Sequence, residues 1–69
     1  MAEQIKQALI RRKQVEIETS LSRSTIYQRM KDRTFPQAVR VGARSVAWRR
    51  EDILAWLADP AGYRAPESA

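Results

Sequence analysis

Between Arg23 and Lys31 the chain carries Arg23, Ser24, Thr25, Tyr27, Gln28 and Lys31 around an apolar pair, Ile26 and Met30, spaced i, i+4. On a helix that pair forms one face, Ser24, Gln28 and Lys31 fall opposite it, and Thr25 and Tyr27 lie on the flanks. The chemistry on offer is hydrogen bonding to a polar, anionic surface. Arginine makes a two-pronged bond to guanine, glutamine does the same to adenine, and the threonine methyl meets that of thymine. Ser24, Thr25 and Tyr27 can instead donate to phosphate oxygens, which positions a helix without reading bases. Tyr27 reads equally as a half-buried core aromatic, and Thr25 as support for the first helical turn. Arg29 and Lys31 suit phosphates or solvent better than base edges. A second basic set, Arg40, Arg44 and Arg49, is spaced so that a hairpin could lie along a phosphate backbone or place an arginine in a minor groove. Arg44 is the strongest of the three because a turn projects it. Arg40 and Arg49 also read as ordinary outward strand residues.

Other chemistries lack their residues. The chain has 69 residues with no histidine and no cysteine, which removes disulfides, zinc fingers and most transition-metal sites. Acid–base or nucleophilic work would fall to carboxylates, lysines or a serine. Most of the acids sit where helix surfaces and helix starts explain them. Two glycines, Gly42 and Gly62, make no phosphate-cradling loop. No catalytic residue, metal site or cofactor is therefore expected. No apolar run is long enough to span a bilayer, and Met1–Gln7 lacks the apolar block of a signal peptide, so a cytoplasmic location is expected.

Charge distribution supports a polyanion partner. The net charge is +5. Between Ser20 and Arg50 there are eight basic side chains against the single Asp32, while the rest of the chain is slightly acidic. Each phosphate neutralised by such a segment releases condensed counterions.

These residues need elements to hold them. A short helix fits Arg12–Thr19, with Val15 and Thr19 inward, Glu16 and Glu18 in solvent, and Ile17 between. Leu9 and Ile10 ahead of it form a short extended anchor. Ser22 is a good N-cap for a second helix from Arg23 to about Asp32, and Leu21 with Ile26 has the spacing of a hydrophobic staple. Two short helices joined around Ser20–Ser22 make a helix-turn-helix pattern. Pro36 blocks further helix, and Phe35 is a core plug. Val39-Arg40-Val41 and Val46-Ala47-Trp48 flank the turn Gly42–Ser45 and read as a β-hairpin with Val39, Val41, Val46 and Trp48 inward. A last helix, about Glu51–Ala58, presents Ile53, Leu54, Trp56 and Leu57 as its apolar stripe, and Asp59-Pro60 ends it. Trp48 and Trp56 are core by their apolar spacing rather than base-stacking platforms. The expected fold is mainly α with a small β-hairpin, a winged helix-turn-helix. Its bounds are 9–59, between a flexible N-terminus at 1–8 and a C-terminal tail at 60–69 whose Tyr63 can fold back onto the body.

The run Leu21-Ser22-Arg23-Ser24-Thr25-Ile26-Tyr27, then Phe35-Pro36, Trp48-Arg49 and Ala55-Trp56-Leu57, resembles the AlpA family of phage and prophage regulators. That family is related to excisionase-like and MerR-like winged helix domains. The resemblance covers about residues 9–59. It implies a double-stranded DNA-binding regulator of a prophage or integrative element, active at an integrase or excision locus within the bacterial nucleoid. By the same resemblance the helix from Arg23 is the recognition helix and Gly42–Ser45 the wing. Integrase, RNA polymerase and further copies of the chain on DNA are the implied protein partners. Two positions depart from the family pattern. Ser20 stands where a glycine is common, which strains a left-handed backbone by about a kcal/mol. Glu18 stands where the family tends to be apolar.

The same domain would serve an excisionase-type architectural factor that bends DNA beside recombination sites. A protein-interaction adaptor is the reading from a different class. It requires that Arg23 and Gln28 be dispensable and that surface apolar groups carry the activity.

Overall fold

A computed structural model describes residues 8–66. The chain starts with strand β1 (Leu9–Arg11), which runs directly into helix α1 (Arg12–Thr19). The anchor expected at Leu9 and Ile10 is thus a full sheet member. Its alternation turns Ile10 into the core and leaves Leu9 42% exposed. Strands β2 (Val39–Arg40) and β3 (Val46–Arg49) complete an antiparallel sheet in the order β1-β3-β2. Register places Ile10 opposite Trp48, and sets Arg11 and Val39 on either side of Ala47. The central strand is therefore covered at both edges, and Ala47 is as inaccessible as Trp48.

Helix α1 ends where expected, and Val15 and Thr19 are its buried residues. Thr19 Oγ1 donates to the Val15 carbonyl at 2.7 Å and accepts from Leu21 N at 3.3 Å, so one hydroxyl ties the helix end to the turn after it. Ser20 has φ 63, the left-handed conformation for which glycine is the usual choice. Its N–H closes the helix on the Glu16 carbonyl at 2.8 Å. Neither glutamate of α1 is simply solvated. Glu16 pairs with Arg12, and Glu18 pairs with Arg50 at 2.5 Å. Arg50 opens helix α3 (Arg50–Ala58), so Glu18 joins the first helix to the last instead of facing solvent. Ile17 is 71% exposed.

Helix α2 (Arg23–Lys31) buries Ile26 completely and half-buries Met30, while Leu21 packs against the same core. The staple spacing is realised. The segment that follows is held by aromatics. Phe35 lies edge-on to Trp48 and Trp56, with ring centroids 6.4 and 5.2 Å away. The Trp48 indole N–H donates to the Pro36 carbonyl at 2.9 Å, and that of Trp56 to the Thr34 carbonyl at 3.1 Å. Two tryptophans therefore pin the backbone on both sides of Phe35, satisfying carbonyls that no helix or strand uses.

Two expected apolar faces are narrower than their patterns implied. Val41 is 44% exposed and lies beyond β2, where its N–H bonds the Ser45 carbonyl in the turn. Leu54 and Leu57 are also exposed, and the buried residues of α3 are Ile53 and Trp56. A body this small meets only a narrow strip of the helix, so Leu57 and Leu54, further round one side of that strip, stay in solvent.

Beyond α3, the Gly62 N–H bonds Asp59 Oδ1 at 3.2 Å, and Tyr63 returns to pack on the core. Ala65 N donates to the Arg33 carbonyl at 2.8 Å, and the Arg33 guanidinium donates to the Pro66 carbonyl at 2.9 Å. The flexible N-terminus expected over 1–8 lies, except for Ala8, outside the described residues. Among the described residues no helix is long and apolar enough to cross a membrane.

Candidate nucleic-acid interface

Helix α2 is fixed at its start by Ser22. The Ser22 hydroxyl accepts from Thr25 N at 3.2 Å and donates to Thr25 Oγ1 at 2.9 Å. This takes up an otherwise free N–H of the first turn. Thr25 is half-buried with its hydroxyl engaged by the cap, as its supporting reading requires. With Ile26 locked inward, Arg23, Ser24, Tyr27, Gln28 and Lys31 are all left exposed.

The tyrosine rests on the core while remaining at the surface. Its ring meets the buried Trp48 edge-on with centroids 6.4 Å apart, yet the residue keeps 39% of its surface. The Arg23 guanidinium lies 5.8 Å from the centre of that ring. A cation over an aromatic face loses freedom, so Tyr27 aims Arg23 from a rigid base. One turn further on, the Gln28 amide donates to the Asp32 carboxylate at 3.3 Å. Asp32 thereby orients one candidate base-reading group and places a negative charge at the far end of the helix.

The hairpin arginines do not form one group. Arg44 is exposed in the turn between β2 and β3, whose ends are closed by Val41 N on the Ser45 carbonyl at 3.0 Å. Arg40 is exposed beside Val46 at the same end of the sheet. Arg49 is opposite Leu9 at the other end of β3, about 10 Å along the strand from Val46.

The sequence pattern missed a third contribution. A cleft of about 300 Å³ opens between α2 and the wing, lined by Arg23 and Tyr27 on one side and by Arg44, Ser45 and Val46 on the other. Arg11, Arg12 and Lys13, from the β1–α1 junction, complete it. These three belong to the part of the chain whose net charge is slightly acidic. The Arg-Arg-Lys run was a visible signal, but only the pairing of β1 with β3 carries it beside the wing.

Few acids temper this surface. Among the described residues Arg12 is the one cleft cation in an ion pair, with Glu16. Glu18, whose titration is clearly displaced, lies outside the cleft lining and is paired with Arg50. Hydrogen bonds from Arg50 and then Gln14 hold its carboxyl below the ordinary value of 4.5, against a smaller opposing effect of burial.

A capped second helix after a tight turn, followed by a sheet whose hairpin projects beside it, defines a winged helix-turn-helix. The chain belongs to the family of the prophage CP4-57 regulatory protein (AlpA), whose model matches residues 8–60. It is also similar to the uncharacterized protein ORF88 of Enterobacteria phage P4, at 45% identity over 38 residues. That match spans 55% of this chain and 43% of the relative's length. No solved structure matches. The family is one of phage regulatory proteins and not of enzymes.

Proposed function

We propose that this protein binds double-stranded DNA at specific sequences and regulates a prophage or integrative element at its integrase or excision locus. The observation that carries the reading is the exposed polar face of α2, with Arg23 braced on Tyr27, standing next to the projecting Arg44. Helix α2 enters the major groove, where Arg23, Ser24 and Gln28 meet base edges. Thr25, Tyr27 and Lys31 serve the backbone. The wing lies against the adjacent minor groove through Arg44, with Arg40 and Arg49 as weaker phosphate contacts.

A nine-residue recognition helix reads few base pairs. Two or more copies therefore act together on DNA, with integrase or RNA polymerase as the protein they assist. Selection from random duplexes tests the core of this reading. An enriched site, bound in a strongly salt-dependent way and footprinted beside an integrase gene, is the expected result. Absence of any enriched site together with salt-insensitive binding overturns it. Reporter activation without integrase separates a transcriptional regulator from an excision factor, which instead promotes excision in a purified integrase reaction.

A further inference from the structure

We propose that the cleft between α2 and the wing is a phosphate clamp, holding the DNA strand that separates the major groove from the neighbouring minor groove. The inference rests on the DNA-binding reading and adds to it a contact made by the β1–α1 junction. If α2 occupies the major groove and the turn at Arg44 the next minor groove, one sugar–phosphate strand must cross the space between them. The cleft is that space.

Its lining suits a phosphodiester. Arg23 comes from α2, Arg44 from the turn, and Arg11, Arg12 and Lys13 from the junction behind them, while Tyr27 adds a hydroxyl. Among the described residues no carboxylate lines the cleft, and Glu16 offsets Arg12 alone. Cations gathered from three separate stretches of chain repel one another in the free protein. A phosphate seated among them removes that repulsion and releases counterions from the DNA. Arg11 and Lys13 are exposed and take no part in the core, so nothing in the fold requires their charge.

The test compares the wild-type chain with an Arg11→Gln, Lys13→Gln double variant, on the selected duplex and on an unrelated one. Thermal melting of both proteins confirms that the variant is folded. Each lost phosphate contact removes about 0.9 from the slope of log affinity against log salt. A fourfold rise in salt is then expected to weaken the wild-type protein about twelvefold more than the double variant. Both duplexes lose affinity equally, because a phosphate contact carries no sequence information. Arg64→Gln, which removes an exposed charge outside the cleft, leaves the slope unchanged.

An unchanged slope in a folded, DNA-binding double variant overturns the clamp and leaves the DNA reading intact. A loss confined to the selected duplex also overturns it, since those side chains would then be reading bases. A slope change from Arg64→Gln matching that per cleft charge assigns the effect to the overall field, and overturns it too. Failure of the wild-type chain to bind either duplex removes the DNA reading itself.

Discussion

Around Phe35, three aromatic rings and two indole donors find their partners inside the protein, whereas of the five cations around Arg44 Arg12 is the one paired with a carboxylate among the described residues. The two regions share strand β3: Trp48 faces the first, and Val46 borders the second. In the aromatic region every polar group is matched and water is excluded, so its residues matter for stability. In the cleft most of the positive charge has no acidic side chain of the protein beside it, which is what the proposed phosphate contact would use. Tyr27 joins the regions, resting on Trp48 while carrying Arg23. The core thus positions the residues of the cleft.

Truncation of the ring shared by both tryptophans is the largest expected effect. Phe35→Ala should cost about 3–5 kcal/mol, a large part of the stability of so small a domain, and should abolish a cooperative thermal transition near growth temperature. If the melt hardly moves, the aromatic region is not the structural half of the comparison.

Arg23→Ala and Arg44→Ala should do the reverse. Each is expected to weaken binding to the selected duplex by about 1–3 kcal/mol while leaving the melting temperature in place. Arg23→Ala should also relax sequence preference, and Arg44→Ala should weaken all duplexes alike. Competition binding across single-base variants distinguishes the two. A shared drop in melting temperature would show that the cleft side also holds the fold together.

A smaller effect is expected at the turn between α1 and α2. Ser20→Gly should raise stability by about 0.5–1 kcal/mol, because glycine has no Cβ to clash with the backbone at φ 63. Denaturant titration measures this directly, and a destabilised glycine variant would mean that Ser20 is not strained.

The smallest effect is electrostatic. The Glu18 carboxyl is held below its ordinary value of 4.5 by Arg50, so the pair contributes stability above that pH. The contribution is lost as pH falls through the lowered folded value. Wild type should therefore lose more stability on acidification than Glu18→Gln, with the two curves converging below the carboxylate range. Parallel curves throughout would remove Glu18–Arg50 from the stabilising interactions.

Much of the scaffold was legible because its determinants are local. The Ser22 cap, the Leu21–Ile26 staple and the i, i+4 pair Ile26 and Met30 specify α2 within one stretch of chain, and the inward residues of α1 follow the same periodicity. Val41, Leu54 and Leu57 misled because an apolar pattern marks which face is able to be buried, not how much of it a small body can cover. Glu18 was expected in solvent because its partner, Arg50, is far away in sequence and belongs to another element.

The sequence by itself determined helix α2, the turn that follows α1, the hairpin turn and the outward set from Arg23 to Lys31, since each depends on neighbours within a few residues. Only the tertiary structure decided that Arg11, Arg12 and Lys13 stand beside Arg44. That proximity is made by β1 pairing with β3, and a three-residue strand carries too little pattern to announce its partner. The physical reason is the range of the interactions: capping and helical spacing act along the chain, whereas the cleft is assembled across a sheet from segments that share no local signal.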